Sequence, residues 1–192
     1  MASNATISRC QGVGRQLTDT FVDSYFMNYI VALAARAVPY IQTSQYCSNS
    51  HNMLIPTRNP LPTLDLFVRI LVLELRLPRV VLIASAVYLG RWGLRYPGAS
   101  GIISSASHRL VLTSMVIAVK HLYDDPPSNM RWVRYLQKIN IHYFTIKHIN
   151  CMEREMLSDL KWEIQISPAD VRKVSEPVLF VLGGELLDFA QL

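Results

Sequence analysis

Cysteine is scarce in this chain: Cys10, Cys47 and Cys151 are an odd number with no CxxC spacing. A disulfide framework or a zinc ribbon is therefore not expected, and a reducing compartment is the default. Glycine and proline are modest, 8 and 10 of 192 residues, which excludes collagen-like and Pro/Gly low-complexity architectures. Charged residues make up 17% against 51% hydrophobic ones, the reverse of a disordered composition. Long apolar runs are missing as well. Val80–Leu89 and Leu110–Val119 are the longest, each well short of the roughly 20 residues of a membrane span. Asp65, Arg69, Glu74, Arg76 and Arg79 interrupt the longer Leu64–Leu89 stretch. The opening MASNATISRCQGVGRQ has no apolar h-region, so no secretory signal is expected. These absences leave a soluble chain of a size that suits one domain.

What is present reads almost entirely as helix. Phe21, Tyr25, Tyr29, Leu33 and Ala37 recur every four residues through Thr18–Val38, and Pro39 closes that helix. The polar stretch Gln42–Pro62 reads as a connector. Thr63 is placed to cap the next helix, with Asp65 in the first turn where the dipole favours an acid. Pro78 opens another helix, whose body Val80–Leu89 is apolar all round, and Gly93–Ser107 reads as a loop. Ser107 is the expected cap of His108–Tyr123, again apolar on every side from Leu110 to Val119. A helix of that kind in a soluble protein has to be surrounded by others. Pro126 and Pro127 follow it; Ser128 then caps a short helix over Arg131–Lys138, and Thr145 caps one striped by Ile149, Met152, Met156, Leu157 and Leu160. Ser167, Pro168 and Asp170 signal a further helix start, with Pro177 expected to break it and the apolar tail Val178–Leu192 packing back. The fold class is all-α, with no credible strand pairing.

Chemistry is sparse. His108, His121, His142 and His148 form no HExxH or ExxH pair, and Asp124–Asp125 suit a solvated turn. Gly12-x-Gly14 lacks the third glycine, the strand and the lysine of a phosphate loop. Cys151 fits as a small helix-packing residue. No metal, cofactor or catalytic group is expected. Net charge is +5, and residues 63–109 hold six arginines (69, 76, 79, 91, 95, 109) against Asp65 and Glu74, hence +4 of it. That excess suits either ordinary solvated faces or a patch that steers acidic partners. No basic run with interleaved aromatics suggests nucleic-acid binding. One feature stands apart. Glu153 lies between Ile149 and Leu157 at four-residue spacing, inside an apolar stripe, and Lys120 ends an apolar run. A charge there is costly unless paired, so the two either pair with each other or await polar groups of a partner.

The string from His108-Arg109-Leu110 to Ala118-Val119-Lys120-His121-Leu122-Tyr123-Asp124-Asp125 is followed by Asn129-Met130-Arg131-Trp132 and by Ile149-Asn150-Cys151-Met152-Glu153-Arg154-Glu155-Met156-Leu157. Together with Tyr88-Leu89-x-Arg91, these segments resemble the cyclin box, most nearly that of fungal PCL-type and phosphate-pathway cyclins, over about Pro62 to Ile166. The resemblance implies a single five-helix cyclin box around a central apolar helix, with flanking N- and C-terminal helices. Its parts would be an N-terminal extension (1–61), the box (62–166) and a C-terminal helical tail (167–192). It implies a regulatory subunit, not an enzyme, that binds and activates a cyclin-dependent serine/threonine kinase by holding the kinase's C-helix. Lys120 and Glu153 would grip that helix, with Leu157, Trp162 and Ile164 as apolar contacts. Arg91 and Arg109 are the expected acidic-substrate patch. Partners would be the kinase and the substrates or inhibitors of the complex, in nucleus and cytoplasm, without membrane or nucleic acid. The alternative is a cyclin-fold scaffold or transcription-related adaptor without kinase activation. Gly90 stands where many cyclins carry Asp, and Pro62–Phe67 lacks the MRAIL substrate-docking motif.

Overall fold

The computed structural model describes residues 4–37, 61–95 and 106–181. Within them the chain forms seven helices and, among the described residues, no strand. They are α1 (Asn4–Ala37), α2 (Leu64–Glu74), α3 (Arg79–Arg95), α4 (Ala106–Leu122), α5 (Asn129–Lys138), α6 (Ile146–Asp159) and α7 (Pro168–Val181). The all-α class and the bundle around a central apolar helix are as expected. Residues 42–60 of the connector lie outside the described residues, as do residues 96–105 of the expected loop and the tail beyond Val181.

Helix α4 is the centre. Apart from Arg109, every residue from Ala106 to Val119 is buried, and α1, α2, α3 and α6 all pack against the helix. Helix α3 is nearly as enclosed and lies between α4, α1 and α7, while α5 leans on α6. Tyr88, Phe26, Phe67, Phe144 and Trp132 are the largest fully buried side chains. Fully burying a large apolar side chain contributes roughly 1.5–3 kcal/mol, so these residues dominate the core's energetics. Buried His108 donates from Nε2 to the Pro62 carbonyl at 2.8 Å and meets the Phe67 ring edge-on at 4.9 Å, fixing the entry to α2 against α4.

Local signals explain most helix starts. Ser128 Oγ accepts from the Arg131 N–H, and Thr145 and His148 form a reciprocal capping box at α6. Ser167 and Asp170 do the same at α7: the Asp170 N–H donates to Ser167 Oγ and the Ser167 N–H to Asp170 Oδ2. Four boundaries differ from the sequence reading. Helix α1 starts at Asn4 rather than near Thr18, because elongation adds one hydrogen bond per residue and no proline interrupts it. Gly93 belongs to α3, where a glycine costs only about 1 kcal/mol relative to Ala. Ser107 lies inside α4 and donates its hydroxyl to the Ala34 carbonyl of α1 instead of capping. Pro177 sits within α7 without ending it; buried Val174, one turn earlier, helps hold α7 against α3.

Helices α2, α5 and α6 end alike. Arg76, Asn140 and Lys161 take left-handed backbone (φ 49°, 64° and 53°), and the next residue's N–H donates five residues back to Val72, Leu136 or Leu157. These are Schellman ends made without glycine.

Candidate functional site

The last turn of α4, the first turn of α5 and one shoulder of α6 meet at a polar cluster. Ile149, Met152 and Met156 face the core from α6, which leaves Asn150, Glu153 and Leu157 along its edge. Lys120 Nζ donates to Glu153 Oε1 at 2.6 Å. Asn129 Nδ2 donates to the other carboxylate oxygen at 2.6 Å and to Asn150 Oδ1 at 2.8 Å. Those two acceptors fix the orientation of the Asn129 amide, whose Oδ1 is left buried without a donor. An unpaired amide oxygen costs about 1–3 kcal/mol, so the cluster holds Asn129 there against a penalty.

The question left open by the sequence is thus answered for the free chain: the two charges pair with each other. Yet the pair is not closed off. The side chains remain 28% and 16% exposed, so solvent or a partner reaches both. An ammonium has three donors and a carboxylate about four acceptor positions. Lys120 spends one donor on Glu153, and Glu153 accepts two bonds, so each keeps capacity for further groups.

Beyond Leu157 the site continues past the end of α6. Trp162, like Lys161, is left-handed (φ 61°), and its N–H donates to the Leu157 carbonyl at 2.8 Å. Trp162 is 66% exposed, whereas Leu157 and Ile164 are partly buried and pack against the core. The five expected contact residues therefore fall into two charges, two half-buried aliphatics and one protruding aromatic ring. Backbone strain of this kind costs about 1–3 kcal/mol per residue and tends to collect at functional positions.

Arg91 and Arg109 have different surroundings. Arg91 donates to the carbonyls of Glu163 and Gln165 and to Asp170 Oδ2, each at 2.8 Å. Arg109 lies near His148 and Cys151, helping to push the His148 pKa down; burial is the larger cause there. Burial, reinforced by the neighbouring Glu155, raises the Cys151 thiol, which donates to that carboxylate at 3.0 Å. No group of three or more His, Cys, Asp or Glu side chains is arranged to hold a metal among the described residues, and no helix there is long and apolar enough to cross a membrane. A cleft of about 590 Å³ opens beside Val119, lined also by Leu75, Leu77, Tyr123, Trp132 and Tyr135.

Sequence reasoning did not foresee the roles of Asn129 and Asn150. The available signal was spacing: Asn150 precedes Glu153 by one turn, and Asn129 opens the helix that carries Trp132. No signal marked Trp162 as left-handed, since no glycine stands near it.

The family model described as "Cyclin, N-terminal domain" matches residues 30–165. The chain belongs to the cyclin family. Three curated relatives from Saccharomyces cerevisiae (strain ATCC 204508 / S288c) are each 29% identical to this cyclin. PHO85 cyclin-9 aligns over 110 residues, 57% of this chain and 35% of its own length. PHO85 cyclin-2 aligns over 136 residues, 71% and 43% respectively, and PHO85 cyclin-1 over 126 residues, 66% and 44%. The aligned part is thus less than half of each relative. The likeness to PCL-type cyclins read from the sequence agrees with these matches. The family match takes in the end of α1, all of α2–α6 and the segment carrying Trp162 and Ile164.

Proposed function

We propose that this cyclin is the regulatory subunit of a cyclin-dependent serine/threonine kinase and activates it by holding the kinase's C-helix, in nucleus and cytoplasm. The observation that carries the proposal is the half-open Lys120–Glu153 pair, set one turn from Leu157 and followed by exposed Trp162. A helix N-terminus offers unpaired N–H donors and a positive dipole end, which the free acceptor positions of Glu153 suit. The remaining donors of Lys120 suit carbonyl oxygens of the same segment. Trp162 would enter the apolar part of the interface, where large aromatics carry most binding energy. Activation is then a population shift: this cyclin binds the helix-in state of the kinase better than the helix-out state. That state completes the kinase's own Lys–Glu pair, which phosphoryl transfer requires. The relatives' names couple them to PHO85, so a PHO85-type kinase is the first partner to try. Substrates and inhibitors would then join the complex. The acidic-substrate role expected of Arg91 and Arg109 is not part of this proposal, because Arg91 is engaged within the chain.

The test is co-purification of the native chain, Lys120→Ala and Glu153→Ala with a panel of cyclin-dependent kinases. Truncating one partner of a buried interfacial charge pair costs roughly 2–5 kcal/mol, about 30-fold in affinity or more. Capture of one kinase by the native chain, lost in both folded variants, is the expected result. Normal capture by both variants would reduce Lys120–Glu153 to an internal brace and favour the scaffold reading.

A further inference from the structure

Between α6 and α7 the chain runs from Lys161 to Ser167 without regular structure, yet α3 captures its backbone at successive points. Tyr88 donates its hydroxyl to the Ile164 carbonyl at 2.9 Å. One turn later on α3, Arg91 takes the carbonyls on either side, Glu163 and Gln165, at 2.8 Å each. Three consecutive carbonyls are therefore held by two side chains of one helix face. The Arg91 fork also reaches Asp170 Oδ2, which accepts from the Ser167 hydroxyl at 2.6 Å and from the Ser167 N–H at 2.9 Å. Hydrogen bonds from Ser167, then Arg91, hold the Asp170 carboxyl below its usual range, so it stays ionised opposite the guanidinium. The same short segment carries the left-handed Trp162, whose carbonyl accepts from the Ile164 N–H at 2.9 Å.

We infer that Arg91 is a positioning residue for partner binding, fixing the Lys161–Ser167 segment so that Trp162 projects as a rigid anchor. This rests on the kinase-binding reading and deepens it. A guanidinium is suited to the task because its planar fork serves several acceptors in fixed geometry, which a lysine ammonium does not reproduce. A tryptophan on an unrestrained loop would have to be ordered on binding, at an entropic cost; a tryptophan fixed beforehand avoids it. Helix α7 joins the partner site through Asp170, although the family match ends before that helix.

The experiment compares the full chain with Arg91→Lys, Trp162→Ala and the double variant in two readouts. One is the dissociation constant for the captured kinase; the other is hydrogen exchange at the Trp162 and Ile164 amides. The expected result is a tenfold weaker complex for Arg91→Lys, no further loss when it is added to Trp162→Ala, and exchange at both amides at least tenfold faster, with an unchanged denaturation midpoint. Native affinity for Arg91→Lys, or losses that add independently to those of Trp162→Ala, would overturn the inference. If the native chain captures no kinase, the kinase reading fails alone. Exchange then decides whether Arg91 fixes the segment, and native exchange rates in Arg91→Lys refute it. Should Arg91→Lys lower the midpoint, Asp170→Asn opens the same contact from the α7 side while keeping a capping side chain, and the same outcomes apply.

Discussion

Helices α5 and α6 end with the same backbone motif and opposite results. After α5, Asn140 turns left-handed and Ile141 folds back into the core, 5% exposed. After α6, Lys161 makes the same turn, but Trp162 is left-handed as well and is 66% exposed. In the usual form of this motif an apolar residue after the turn packs back on the end of the helix, and Ile141 is buried in the same core cluster as Leu136, whose carbonyl it bonds. One additional left-handed residue sends the largest apolar side chain of the segment outward. The first end buries the residue after the turn and the second exposes it, at a conformational cost the rest of the structure sustains; on the proposed function the first serves stability and the second recognition.

Substitutions separate the two roles. Ile141→Ala is expected to lower unfolding free energy by about 2–5 kcal/mol in urea denaturation, the range for truncating a buried isoleucine. Trp162→Ala should leave the urea midpoint nearly unchanged and weaken kinase capture by about 30-fold, a hot-spot loss of roughly 2 kcal/mol. Equal stability losses at the two positions would erase the distinction. Next in size is Thr145→Ala, which removes the cap of the helix bearing Glu153 and should cost about 1 kcal/mol. Acid should act on the same cap. The Thr145 N–H donates to His148 Nδ1, which requires a neutral ring. Burial, then Arg109, lowers the His148 pKa below 6.5. Between that lowered value and 6.5 the unfolded chain binds more protons, so stability is full above 6.5 and declines as pH falls through the window. Denaturation midpoints at pH 7.5 and pH 5.5 check this, and His148→Gln should flatten the difference. Smallest is Gly90→Ala in α3, where an added Cβ meets nothing within 4 Å; a gain of about 0.5–1 kcal/mol is expected.

The sequence disclosed the core more readily than the site. Leu110–Val119 had to be surrounded because no face of that helix was polar, and the packing of α4 bears this out. Caps at Ser128 and Thr145 were legible because each side chain acts within three residues of itself. Pro177 was misread because a proline's local penalty is visible in sequence while the tertiary packing that offsets it is not. Glu153 was conspicuous as a charge in an apolar stripe, but its neighbours Asn129 and Lys120 are 24 and 33 residues away. Arg91 was assigned to an acidic-substrate patch because counting charges takes no account of backbone acceptors. Its three acceptors are 72, 74 and 79 residues along the chain: two backbone carbonyls, which carry no sequence signature, and the Asp170 carboxylate.

Position 162 places two selective demands in opposition. A φ of 61° is a conformation that glycine adopts freely and tryptophan resists, so a library sorted for thermal survival should enrich glycine or asparagine there. A library sorted for partner capture should return tryptophan. On the proposed kinase-binding role, the identity of one residue thus reports which pressure governs the chain: a more stable variant with glycine at this point would be a better-folded cyclin that has lost its hold on its partner.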